Sequence, residues 1–327
     1  MNPVLEVHDL DVSFDTSVGS LRVVRGVSFS VGAAETVAIV GESGSGKSVT
    51  ALSLMRLHDP DKTKISGSIK FKGTELLTLP EARMRTVRGN EIGMIFQEPM
   101  SSLNPLMPIG DQIAEAVLLH HDKSRAEARR RALDLLVQIG IADPQRRMRE
   151  YPHQLSGGMR QRVMIAMAMA CDPEILIADE PTTALDVTVQ AQILGLMRDL
   201  KTRTGSSIVI ITHDLGVVAE LADRVVIMYA GVKVEEGTIA EIFSQPAHPY
   251  TVGLLGSIPS LGCSRSGGPL TEIPGQVPSP SRVAVGCSFA ARCGLTSSIC
   301  LEIEPRLENV SPRHGVACHH KIRTPVA

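Results

Sequence analysis

The residues with the clearest chemical potential are Gly41–Ser48, "GESGSGKS", which fit the spacing G-x-x-x-x-G-K-[ST]. Glycines at this spacing let the backbone of Gly41, Ser43, Gly44, Ser45 and Gly46 curl until its N–H groups face phosphate oxygens. Lys47 adds a point charge for the terminal phosphates, and Ser48 offers a hydroxyl to Mg²⁺. A second group is "ILIADE". Asp179 ends an apolar run, where a carboxylate can hold Mg²⁺ through water, and Glu180 follows it, where a carboxylate can orient an attacking water. A third group is Cys287, Cys293, Cys300 and Cys318, four of the six cysteines, gathered near the C-terminus.

Elements able to position these groups are readable from periodicity. "ETVAIVG", "EILIAD" and "SSIVIITHD" are short apolar runs of the kind that form strands buried on both faces. "VTALSLMRL" and "TVQAQILGLMRDLKTRTG" have helical spacing, and the alternation implies a parallel α/β sheet. At the N-terminus "VLEVHDLDVSF" and "VVRGVSFSVG" alternate in polarity, as half-buried antiparallel strands do. "IGDQIAEAVLLH" and "AEARRRALDLLVQIG" read as amphipathic helices, the arginines forming a solvated face. Beyond about Gly237 the chain turns rich in Pro, Gly and Ser, which predicts mostly irregular structure or linker.

Composition narrows the function classes. The 327 residues are 43% hydrophobic, enough for a large domain plus an appendage. A net charge of −2 gives no electrostatic footprint for a nucleic-acid binder. The N-terminus carries early acidic residues and no apolar stretch of the signal-peptide kind, and no apolar run reaches the length of a membrane span. Work at a membrane would require docking onto another protein's helices.

"LSGGMRQR", Leu155–Arg162, resembles the signature sequence of ATP-binding cassette (ABC) proteins, and the ordered motifs around it match that family over nearly all of residues 1–240. The resemblance implies an α/β P-loop NTPase fold with an antiparallel β subdomain and a helical subdomain at about 98–159. It implies a cassette over 1–237, followed by an irregular, cysteine-containing extension over 238–327. It further implies that Lys47, Glu180 and His213 act in ATP hydrolysis, and that Ser48, Gln97 and Asp179 hold Mg²⁺. Phe14 would lie under the adenine. Ser156, Gly157, Gly158 and the D-loop residue Asp186 would close over nucleotide held by a second cassette.

Within the family, "GMIFQEPMSSLNPLMPIGDQIAEA", "YPHQLSGGMRQRVMIAMA" and "QPAHPYTVGLL" resemble ATP-binding subunits of oligopeptide/dipeptide importers. This implies a peripheral subunit on the cytoplasmic face, two permease subunits, an extracytoplasmic binding protein and a partner cassette, with a heterodimer favoured. A soluble ABC ATPase acting on DNA or ribosomes is the rival reading, and an uninterrupted single cassette of near-neutral charge weighs against it. The cysteine spacing, with gaps of five, six and seventeen residues, lacks the tight pairs of structural zinc sites, whereas iron–sulfur clusters accept more varied spacing. Relatives carry a similar "GC.FA.RC" tail, and in some it holds a [4Fe–4S] cluster. That cluster is the expectation here. Zinc, with His319 or His320 as substitute ligands, and four unrelated thiols are the alternatives. Cys171 is expected to be packed, and Cys263 stands outside the pattern.

Overall fold

The computed structural model describes residues 3–257 except Val18 and Ala184, then 273–282 and 285–322. Cys263 therefore lies outside the described residues. In chain order the strands are β1 (Leu5–Thr16), β2 (Gly19–Val31), β3 (Thr36–Val40), β4 (Thr63–Phe71), β5 (Thr74–Glu75), β6 (Ile92–Ile95), β7 (Ile175–Asp179), β8 (Ser207–Thr212), β9 (Arg224–Tyr229), β10 (Val232–Thr238), β11 (Glu308–Ser311) and β12 (His314–Val316). Two compact units divide the chain. One comprises Val31–Thr36 and Thr78–Ile211, with the N-terminal residues up to Val4. The other comprises Leu5–Ser30, Val37–Leu77 and Thr212–Ala327.

In the first unit β6, β7 and β8 run parallel, Ile177 facing Met94 on one side and Val209 on the other. Every residue of these three strands is buried, as apolar runs covered on both faces require. A helical layer follows β6 in sequence, with Ile109–His120 and Arg125–Gln138 packed through Ile113, Val117, Leu135 and Leu136. Ser124 and Glu127 form a reciprocal cap that starts the second helix, and Arg125, Arg129 and Arg130 face solvent as expected. Cys171 is buried against this helical core, where burial pushes its thiol up to about 11.

The second unit carries both a half-buried sheet and a buried one. β1 and β4 pair antiparallel, with β2 on the far side of β1, and the alternating burial of β1 follows from one covered face. β3 and β9 are parallel neighbours and fully buried apart from Arg224, and β10 continues the sheet antiparallel to β9. The region beyond Gly237, expected to be mostly irregular, contains the Pro249–Gly256 helix, and β12 adds to the sheet by pairing Glu235 with Val316. His248 caps that helix through Nδ1, which accepts from the Tyr250 N–H at 3.0 Å, and Pro249 presets its first turn.

One buried carboxylate organises this addition. Glu235 is fully enclosed and accepts from the N–H groups of Ala247 (2.7 Å) and His248 (3.0 Å) and from His314 Nε2 (2.6 Å). Three segments distant in sequence thus meet on one acceptor. An unpaired carboxylate at that depth would be strongly destabilising. Aromatic residues complete the seam: Phe289 packs edge-on to Tyr229 at 5.1 Å and tilted to Tyr250 at 5.4 Å. The chain has three tyrosines, and two of them are spent here.

Candidate functional site

The P-loop connects β3 to the Lys47–Leu54 helix, a strand–loop–helix order that exposes the helix N-terminus. Gly44 and Gly46 adopt φ of +79° and +95°, the left-handed region that other residues enter at a cost. At Gly41 a Cβ would lie 2.2 Å from the Met228 carbonyl oxygen, so only glycine fits that crossing. Lys47 is buried, and its Nζ donates to the carbonyls of Gly41 (2.7 Å) and Glu42 (2.9 Å). The Ser45 hydroxyl is also buried and has no hydrogen-bond partner. A buried ammonium resting on carbonyls and an orphaned hydroxyl in a curled glycine loop suit an anionic, oxygen-rich ligand. Ser43 and Ser48 lie in the same loop and at the start of its helix.

Phe14 is half-buried in β1, and its ring meets His58 edge-on at 5.3 Å. His58 Nε2 lies 3.0 Å from the Val49 carbonyl and 3.1 Å from Ser53 Oγ, which ties this aromatic corner to the helix carrying Lys47. Sequence reasoning missed His58, because nothing in its local pattern marks it. In the same unit, His213 follows β8 directly and is exposed.

In the first unit, Asp179 is the last residue of β7 and is 5% exposed. Glu180 has φ +46°, unusual for a non-glycine residue and a strain that the surroundings must hold in place. Its N–H donates to the Ile211 carbonyl at 2.9 Å. Its Oε2 accepts from Gln97 Nε2 at 3.2 Å and from Thr183 Oγ1 at 2.9 Å. Gln97 and Glu180, singled out separately in the sequence, are thus brought into contact, and Thr183 is an addition that the sequence did not advertise. Among the described residues, Ser48 Oγ, a Gln97 carboxamide and the Asp179 carboxylate are hard oxygen donors of the kind Mg²⁺ takes.

Ser156 caps the Gly157–Ala168 helix, its Oγ accepting from the Met159 N–H at 3.4 Å, and Asp186 caps the Val187–Thr204 helix through Val189 N–H at 2.9 Å. Both caps line one open pocket of about 530 Å³, together with Gly157, Gly158, Arg147 and Arg162. A Cβ on Gly158 would meet Val189 at 3.0 Å, which explains a small residue there.

The four C-terminal cysteines also converge. Cys287, Cys293, Cys300 and Cys318 line a small pocket with His248, Phe289, Ala290, His319 and His320. All five described cysteines are free thiols. Burial and neighbouring cysteines raise the pKa of Cys287, and burial pushes Cys318 up to about 11. His248 is neutral, since burial holds it down to about 4, and its Nδ1 is already an acceptor, so Nε2 carries the proton. That Nε2 is buried without a partner. Among the described residues no three His, Cys, Asp or Glu side chains are arranged to hold a metal ion.

Comparison with known proteins adds independent findings. The ABC transporter family model matches residues 24–183, and the model for the oligopeptide/dipeptide transporter C-terminal region matches residues 234–300. A probable peptide ABC transporter ATP-binding protein of Sinorhizobium fredii is 54% identical over 96% of this chain and 94% of its own length. A dipeptide transport ATP-binding protein of Bacillus subtilis is 52% identical over 97% of this chain and 95% of its own. Among solved structures, a dimeric ATP-binding cassette in a post-hydrolysis state, bound to ADP and Pi, is similar with a TM-score of 0.65 and 27% identity, covering 72% of this chain and 98% of that one. No helix among the described residues is long and apolar enough to cross a membrane.

Proposed function

The chain belongs to the ABC transporter family, in the branch of peptide-type ATP-binding subunits, and we propose that it hydrolyses ATP to power import of peptides or related small solutes through a membrane-embedded permease pair. The observation that carries this reading is the pairing in one chain of two kinds of anion turn. One is a glycine loop holding a buried Lys47. The other is a Ser156 cap that opens onto a pocket shared with Asp186.

In hydrolysis, water attacks the γ-phosphorus, the bond to the bridging oxygen breaks, and ADP leaves with inorganic phosphate. Backbone N–H groups from Gly41 to Gly46 and the Lys47 ammonium bind the phosphates and counter the charge that grows on them. Glu180 orients the water and takes its proton; the bonds from Gln97 and Thr183 hold that carboxylate in one rotamer. His213 contacts the γ-phosphate, and Phe14 packs on the adenine. Ser48, Gln97 and Asp179 would hold Mg²⁺, which when bound neutralises phosphate charge. Ser156, Gly157, Gly158 and Asp186 serve the nucleotide of a second cassette, a related but different chain, so that two composite sites close on ATP. The working position is the cytoplasmic face of the membrane, fed by an extracytoplasmic binding protein.

The cysteine pocket is read as the seat of a [4Fe–4S] cluster. Two features support this: four convergent thiols and an unpartnered His248 Nε2–H able to donate to sulfur. The group would supply cross-links to a tail with a small apolar core. Anaerobically purified protein is expected to contain about four irons with matching sulfide and absorb near 400 nm. About one zinc per chain, or four free thiols, overturns this assignment.

The test of the main reading is Glu180→Gln. Turnover is expected to fall by roughly 10²- to 10⁴-fold while ATP binding persists. Near-normal turnover removes Glu180 from its role. Stimulation of the wild-type ATPase by permease proteoliposomes supports the importer, and stimulation by DNA or ribosomes instead sinks it.

A further inference from the structure

Glu42, the second residue of the P-loop, is gripped by the C-terminal extension at both its side chain and its backbone. Arg292 donates to the Glu42 carboxylate through both arms of its guanidinium, Nη1 to Oε2 at 2.7 Å and Nη2 to Oε1 at 3.2 Å. The Glu42 N–H donates to the Tyr250 hydroxyl at 2.9 Å. From these contacts we infer that the extension is a brace for the nucleotide site, with Arg292 and Tyr250 as positioning residues that set the affinity of the P-loop for ATP.

The geometry is that of a built device. The Arg292 side chain is 7% exposed, and its other donors reach backbone carbonyls: Nε that of Pro274 at 2.8 Å and Nη2 that of Ile273 at 3.2 Å. The guanidinium lies 5.7 Å from the Tyr229 ring, and Nη1 reaches the Tyr229 hydroxyl at 3.4 Å. A guanidinium fixed on so many sides gives directional control over its carboxylate that a flexible surface pair lacks. Tyr250 is fully buried, and burial raises its phenol pKa, so it meets Glu42 as a neutral hydroxyl.

Glu42 then passes the constraint inward. Its carbonyl accepts from Lys47 Nζ at 2.9 Å and from the Ser45 N–H at 3.2 Å. Its carboxylate would be an unwelcome negative charge beside a loop that receives phosphates, and the Arg292 pair neutralises it. Arg292 immediately precedes Cys293, and Phe289 between Cys287 and Arg292 packs on Tyr229 and Tyr250. The cysteine pocket and the grip on Glu42 are therefore neighbours in the chain, four residues from Phe289 to Arg292 joining them.

The inference rests on reading Gly41–Ser48 as the ATP phosphate site. Its test uses the full-length chain, with melting temperature and metal content checked for each variant, and a fluorescent non-hydrolysable ATP analogue as probe. Arg292→Gln is expected to weaken binding by roughly 5- to 20-fold. Adding Glu42→Gln should restore it, so that the double variant binds more tightly than Arg292→Gln alone and close to Glu42→Gln. Arg292→Lys, which keeps charge without the fork, should fall between wild type and Arg292→Gln. A purely structural arginine would show no such rescue by Glu42→Gln. Should Arg292→Gln fail to fold, Tyr250→Phe, which keeps the ring and removes the acceptor, carries the test and must weaken binding. Wild-type affinity in whichever of these folds, or a defect undiminished by Glu42→Gln, overturns the brace. Lys47→Ala separates the two readings: unchanged affinity in that variant overturns the P-loop assignment itself, whereas lost affinity there with none lost in Arg292→Gln overturns only the brace.

Discussion

The loop Gly41–Ser48 and the turn Ser156–Gly158 are both small-residue turns at helix N-termini, yet the chain treats them oppositely. Glu42 in the first is held by a residue 250 positions away in sequence, and Gly41 is wedged against Met228 with no room for a methyl group. Ser156 in the second caps its own helix and faces an open pocket of about 530 Å³. A loop finished inside the chain has its phosphate geometry set before any ligand arrives, which reduces the entropy that binding must overcome. On the proposed reading, a turn left open takes its ligand from a second cassette, which would put nucleotide affinity in this chain's own tertiary contacts and the closure step in the partner.

The contrast breaks most visibly at Ser156. Ser156→Arg puts a long side chain into the pocket, so turnover of the assembled transporter is expected to fall by about 10²-fold, the order seen when one transition-state donor is lost. ATP-analogue binding by the isolated chain should stay within about 2-fold, because the P-loop owes nothing to that turn; titration of the analogue checks this. Loss of analogue binding in the isolated chain would erase the distinction between the two turns.

A smaller effect sharpens the other side. Glu241 accepts from Ser311 Oγ at 2.5 Å and from the N–H and hydroxyl of Thr238 at 2.9 and 2.7 Å, a second tie between the extension and the end of β10. Partial burial works to raise its pKa, but these hydrogen bonds outweigh it and hold the carboxyl below its usual range. A depressed carboxylate contributes stability that is present above its unfolded pKa, about 4.3, and lost as pH falls through the lower folded value. Wild type should therefore melt above Glu241→Gln at pH 7, with the gap closing progressively below about pH 4. A gap independent of pH would mean that the tie does not depend on charge.

The buried strands, the amphipathic helices and the glycine loop were legible because each is written in contiguous residues with a physical period. Asp179 and Glu180 were picked out as candidates by the apolar run that they end, taken together with the glycine loop, whereas Gln97, Ser156 and Asp186 were picked out only as members of an ordered family pattern, since a serine before a helix is common. The extension was read as mostly irregular because Pro and Gly dominate it. Its order comes from long-range satisfaction of Glu235 and from the stacking of Phe289 on Tyr229 and Tyr250, neither of which leaves a local period.

By itself the sequence determined which backbone could curl around phosphate, which segments would be strands buried on both faces, and that four thiols sit within one short tail. Tertiary structure alone decided that those thiols converge with His248 on one pocket, that Gln97 meets Glu180, and that Arg292 reaches Glu42. The physical reason is range. Curling, burial and helix capping are settled by neighbours a few residues apart, whereas a carboxylate chooses its cation only after the chain has closed and removed both from water.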